Sequence, residues 1–248
     1  MHSPNFSNRR HRFVAFAIAV GTVSSVAALA IAAGPNVRGR IKDQEKLVRD
    51  VYAEAASPES HRWSWREPSP SVPSQYRTLS ANPSREVCIA ATNNSGGGSQ
   101  EPVLMTVTGG RIVPTTIVVA PNRRLVFKNF DPFPHKIFIP GQKSFGPEEI
   151  KPDAQREWAA PGPGRYEFRD ELFPSVKTYV VVDPQVVAIA YPGKDGSFGF
   201  SLPKGDYVLK GFFSGNPVGK PVAVVATDRG VDLKEPFSVA EDAKGDSK

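Results

Sequence analysis

Apolar and polar residues alternate through most of the chain after Arg85. Ile117 and Val119, Leu125 and Phe127, Ile137 and Ile139, Tyr166 and Phe168, and Thr178, Val180 and Val182 each stand two apart between turn-forming residues. A period of two sends successive side chains to opposite faces of a strand, so a row of such short runs predicts a β-sandwich. A second series follows, with Phe198, Phe200 and Leu202, then Tyr207 and Leu209, Val222, Val224 and Ala226, and finally Val231 and Leu233. Its turns are Gly193-Lys194-Asp195-Gly196, Pro203-Lys204-Gly205-Asp206 and Thr227-Asp228-Arg229-Gly230. This second unit is small for an independent core and is expected to lean on the first.

The pattern before Arg85 differs. Phe13 to Ala33 carries no charge and follows Arg9, Arg10, His11 and Arg12. At ~1.5 Å per residue, a helix of that length spans a bilayer core of ~30 Å, which reads as an export signal or a membrane anchor. Residue 35 onward is then expected outside the cytoplasm, in the periplasm or cell envelope, with the membrane as a partner through residues 1–34. From Val37 to Ala56, the residues Val37, Ile41, Val48, Val51, Tyr52 and Ala55 fall near one helical face and predict a short juxtamembrane helix. Between Ser57 and Pro83, Pro58, Pro68, Pro70, Pro73 and Pro83 exclude a sustained helix or central strand, leaving an extended linker. Trp63 and Trp65 alternate within it, like a strand laid on a folded surface.

The predicted organisation is therefore all-β. It comprises a signal or anchor over 1–34, a helix and Pro-rich linker over 35–84, a first domain over 85–183, a smaller β module over 184–240 and a polar tail over 241–248. A single cysteine excludes disulfide scaffolds, zinc ribbons and iron–sulfur clusters. The net charge of +6 is halved when Arg9, Arg10 and Arg12 are set aside, and no basic stripe interleaved with aromatics remains, so no nucleic-acid partner is expected. The loop Asn93-Asn94-Ser95-Gly96-Gly97-Gly98-Ser99 lacks the lysine and helix start of a phosphate cradle.

The stretch from Val107 to Val182 resembles the cupredoxin, or plastocyanin-like, family. The matching residues are Gly110-Arg111-Ile112-Val113-Pro114, then Val126-Phe127-Lys128-Asn129-Phe130-Asp131 followed by His135, then Pro161-Gly162-Pro163-Gly164-Arg165-Tyr166-Glu167-Phe168, and the closing Lys177-Thr178-Tyr179-Val180-Val181-Val182. The resemblance implies a Greek-key sandwich and, in the family, a type 1 copper centre of histidine, cysteine, a second histidine and methionine. Here His135 falls on the first ligand position. Along Phe168 to Lys177, Asp170 stands where the cysteine would be, Phe173 where the second histidine would be and Val176 where the methionine would be. Cys88 precedes His135, in the wrong chain order for the thiolate. The resemblance therefore implies a copper fold that has lost most of its copper ligands, and no cofactor is expected.

Asp170 can serve His135 as a hydrogen-bond partner. The alternative is a hard-metal or electron-transfer site using His135, Asp170 and Glu171, which have ligand types suited to zinc. Adjacent strand residues point to opposite faces, which separates Asp170 from Glu171. From Val186 to Val239, the run Asp195-Gly196-Ser197-Phe198-Gly199-Phe200 with Leu202-Pro203-Lys204-Gly205-Asp206-Tyr207-Val208-Leu209 is similar to the carboxypeptidase regulatory-like, or transthyretin-like, module. Such modules carry no catalytic residues of their own. With no Gly-x-Ser-x-Gly elbow either, no enzyme is expected. The reading is a non-catalytic binding or structural module of the cell envelope. Its partner is another envelope protein or carbohydrate, met through Trp63, Trp65 and Phe133.

Overall fold

A computed structural model describes residues 36–47 and 82–240. The signal or anchor segment, Trp63, Trp65, the Pro-rich stretch to residue 81 and the tail 241–248 lie outside the described residues. The strands run β1 (Val37–Lys42), β2 (Val87–Thr92), β3 (Val103–Thr108), β4 (Arg111–Val113), β5 (Thr116–Val119), β6 (Arg124–Asn129), β7 (Ile137–Phe138) and β8 (Gln155–Ala159). They continue as β9 (Gly164–Asp170), β10 (Lys177–Val182), β11 (Val186–Ala190), β12 (Ser197–Phe200), β13 (Gly205–Phe213), β14 (Asn216–Ala226), β15 (Val231–Asp232) and β16 (Phe237–Ser238). The chain is all-β, as its alternation predicts.

Four sheets form. Two of them, β4-β3-β6-β8 and β5-β10-β9-β7, face each other as the first sandwich. Its core holds Met105, Leu125, Phe127, Ile137, Phe168 and Val180, all fully buried. The alternation is literal here: along β6 and β10 every second side chain is inside.

The other two sheets build the second sandwich. One is β11-β2-β13-β14; in the other β1 pairs antiparallel with β12 and parallel with β15 and β16. Two boundaries expected from the sequence change. Val37–Lys42 is a strand and not the start of a helix: Val37, Gly39 and Ile41 face the core while Arg38, Arg40 and Lys42 are not buried. Positions i and i+4 share a face at both a period of two and a period of 3.6, so Val37 and Ile41 fit either reading. Gly39 decides it, because a Cβ there would come within 2.6 Å of both Leu233 and Phe198. The second change is β2, which does not pair with the strands that follow it. It lies between β11 and β13 in register Ala91↔Ala188 and Ala91↔Leu209. The first sandwich, residues 103–182, is thus inserted into the second.

β2 is buried along its whole length. Ile89 and Ala91 enter the second core, while Cys88 and Ala90 pack with Val118 of β5 and Phe212. The two sandwiches share this apolar layer, which gives physical form to the leaning expected of the small unit. Burial in the layer pushes the Cys88 thiol up to about 12. Among the described residues, no helix is long and apolar enough to cross a membrane.

Candidate functional site

Asn129 closes β6 and shapes the loop behind it. Its amide nitrogen donates to the carbonyls of Phe133 (2.8 Å) and Ile150 (2.9 Å), and its Oδ1 accepts from the Asp131 backbone N–H (2.8 Å). His135 is then locked to Ile150 by a pair of backbone hydrogen bonds of 3.1 and 2.7 Å. The imidazole ends fully buried.

Two carboxylates flank it. Asp170, the last residue of β9, meets Nδ1, and Asp131 meets Nε2 at 3.1 Å. Each carboxylate is itself held by backbone amides. Asp131 accepts from Gly109 (2.6 Å) and Gly110 (3.0 Å), and Asp170 accepts from Lys136 (3.2 Å) and Leu172 (2.8 Å). Gly109 and Gly110 both have positive φ, 59° and 66°, which aims two consecutive N–H groups at one carboxylate and favours glycine at both positions. Burial pushes the Asp131 carboxyl up, but the Gly110 and Gly109 amides and His135 outweigh it and hold the group below its ordinary value.

A neutral imidazole has only one N–H. Both contacts are hydrogen bonds only when the three groups share two protons, as an imidazolium between two carboxylates or as an imidazole with one carboxylic acid. In either state the cluster carries one net negative charge and joins three segments at one end of the sandwich: the Gly109–Gly110 turn, the loop from Asn129 to His135 and the loop after Asp170.

Phe133 and Phe173 flank the ring, each with its centroid 5.2 Å from that of His135 and 5.0 Å from each other. Phe133, named in the sequence as a binding-surface residue, is only partly exposed and spends one face on this stack. Val176 is buried; its N–H donates to Phe173 O and its carbonyl accepts from Asp170 N. His135, Asp170, Phe173 and Val176 therefore converge. Glu171 does not, since its carboxylate turns outward to Lys136 Nζ at 3.3 Å.

The donor set does not fit type 1 copper. Both ring nitrogens of His135 are occupied by carboxylates, Asp170 offers a hard oxygen in place of a thiolate, and Phe173 and Val176 offer no donor atom. Cys88 lies in the layer between the sandwiches, and Met105 is buried in β3. Among the described residues, no group of three or more His, Cys, Asp or Glu side chains could hold a metal ion. A cleft of about 290 Å³ lies over β9, where Glu167 sits between Arg165 (3.8 Å) and Arg169 (2.7 Å), and does not include the histidine.

No protein-family model and no curated protein matches the chain. Among solved structures, similarity is found to amicyanin from Paracoccus versutus (13% identity, 38% of this chain and 97% of that one, TM-score 0.31). It is also found to a purple cupredoxin from Nitrosopumilus maritimus (15% identity, 33% and 99%, TM-score 0.31). A third is the copper-containing nitrite reductase of Thermus scotoductus (17% identity, 33% and 22%, TM-score 0.31), of which this chain spans about a fifth.

Two contributors were missed in the sequence. In the sequence Asp131 belongs to the motif Val126-Phe127-Lys128-Asn129-Phe130-Asp131, and the signal of its partnership with His135 is a spacing of four across Pro132 and Pro134, which marks a tight loop that returns on itself. Gly109-Gly110 was the other signal, a pair suited to consecutive positive φ.

Proposed function

We propose that the chain is a non-catalytic, exported protein of the cell envelope that acts as a binding or structural module, with a cupredoxin-like sandwich whose copper position has become a polar clip. The observation that supports this reading is the occupation of both His135 nitrogens by Asp131 and Asp170. A metal binds the lone pair of a neutral imidazole nitrogen, and here each nitrogen is committed to a carboxylate that three or more donors hold in place. Phe173 and Val176 fill with hydrocarbon the volume that further donors would need. The uncharged run from Phe13 to Ala33 behind three arginines supports export or anchoring, and the smaller β module supports a role in contacts rather than chemistry.

Copper titration of the purified protein tests this. Addition of Cu(II) is expected to produce no intense visible absorption band and no rise in Tm. A coloured, thermally stabilised protein whose colour is lost in His135→Ala would overturn the reading.

A further inference from the structure

We propose that the outer side of β14 from Val222 to Ala226 pairs with the same segment of a second copy of the chain, giving a two-fold dimer. β14 closes its sheet, and among the described residues no strand pairs with its outer side. Folded proteins protect such edges with prolines, charges and bulges. The first half of β14 has all three. Pro217, Lys220 and Pro221 stand there, the pairing slips between Gly211↔Val218 and Leu209↔Val222, and the Gly219 N–H is taken by Ala240 O at 2.8 Å. The second half has none: Val222-Ala223-Val224-Val225-Ala226 is uncharged, free of proline and rich in β-branched residues. Val225 is 56% exposed, the highest among the exposed large hydrophobic residues of the described part of the chain, and Val208 lies beside it at 37%.

Backbone geometry continues the argument. The Val208 carbonyl is turned toward β2, where Thr92 Oγ1 donates to it at 3.0 Å. Alternation along an antiparallel ladder then turns the N–H and C=O groups of its β14 neighbour Ala223, and of Val225, away from β13. A second copy laid antiparallel about Val224 sets Ala223 opposite the partner's Val225, so that these groups bond to one another in both directions. Val225 covers the partner's Ala223 on the open face. The same arrangement brings Lys220 to the end where the partner's Asp228 lies, and Asp228 remains 72% exposed while paired with Lys204. Opposite charges therefore meet at both ends of an uncharged centre, the self-complementarity that a two-fold interface requires.

Sedimentation of the full chain in detergent micelles tests the pairing. The wild type is expected to be dimeric. Val225→Lys, at a position too exposed to disturb the core, is expected to be monomeric and to unfold cooperatively, with a Tm that no longer rises with protein concentration as that of the dimeric wild type does. Lys220→Glu is expected to weaken the dimer by about tenfold or more, and Asp228→Lys added to it to restore the affinity. A monomeric wild type at every concentration, or a dimer unaffected by Val225→Lys and therefore held elsewhere, would overturn the proposal. Failure of the double substitution to recover affinity would overturn the register about Val224.

Discussion

The two sandwiches solve the problem of closing a core in different ways. The first is built from one continuous stretch and places Asp131, His135 and Asp170 inside, at one end. The second takes β1 and β2 from before the insertion and β11 to β16 from after it, and closes on aliphatic and aromatic side chains such as Val37, Ile89, Phe200, Leu209 and Phe237. Buried charge demands partners placed within tenths of an ångström, and neighbouring loops of one continuous segment supply them: His135 is four residues from Asp131 and adjacent to the Lys136 amide that Asp170 accepts. Segments far apart in sequence are joined by apolar burial, which is non-directional and tolerates imprecise placement.

The sharpest way to break this contrast is to remove one carboxylate. Asp170→Ala leaves Nδ1 of a fully buried imidazole and the backbone amides of Lys136, Leu172 and Phe173 without their acceptor. It is expected to lower stability by about 3–5 kcal/mol, read as the shift in urea unfolding. A loss below about 1 kcal/mol would mean that the buried polar cluster is replaced by water at little cost. In the second sandwich, Phe237→Ala removes a ring 1% exposed that stands edge-on to Phe198 at 6.4 Å. The expected cost is about 3 kcal/mol. Because β2 and β5 share the layer around Cys88, both variants are expected to unfold in one transition. Thiol labelling follows the same transition, since a thiol pushed up to about 12 by burial reacts only once that layer opens.

These contrasts also explain what could be read from the chain. The period-two runs of β6, β9 and β10 gave the first sandwich directly, and the family resemblance brought His135, Asp170, Phe173 and Val176 to one place. The partnership of β1 and β2 was hidden, because no local pattern shows that Val37 pairs with Phe200 or Ala91 with Leu209 across more than a hundred residues. β2 added a second difficulty: a strand buried on both faces loses the alternation that marks a half-buried one. At the site, Asp131 escaped notice because its role depends on loop return and on the Gly109–Gly110 turn rather than on strand periodicity.

That turn offers a milder test. Gly110→Ala places a Cβ at φ 66°, where nothing stands within 4 Å, so the cost is that of backbone conformation alone, about 1 kcal/mol. The smallest effect is one of pH. Asp131 is held below its ordinary value of 3.8, so the unfolded chain takes up that proton at a higher pH than the folded one does. Its contribution is complete above the unfolded value and disappears as the pH falls through the lower, folded value. The urea midpoint of the wild type is therefore expected to decline on acidification below about 3.8, and Asp131→Asn to decline less steeply over the same interval. The comparison uses slopes, so a uniform loss of stability in Asp131→Asn does not affect it. Equal slopes would place the acid sensitivity on other carboxylates and leave the Gly109–Gly110 turn a purely conformational device.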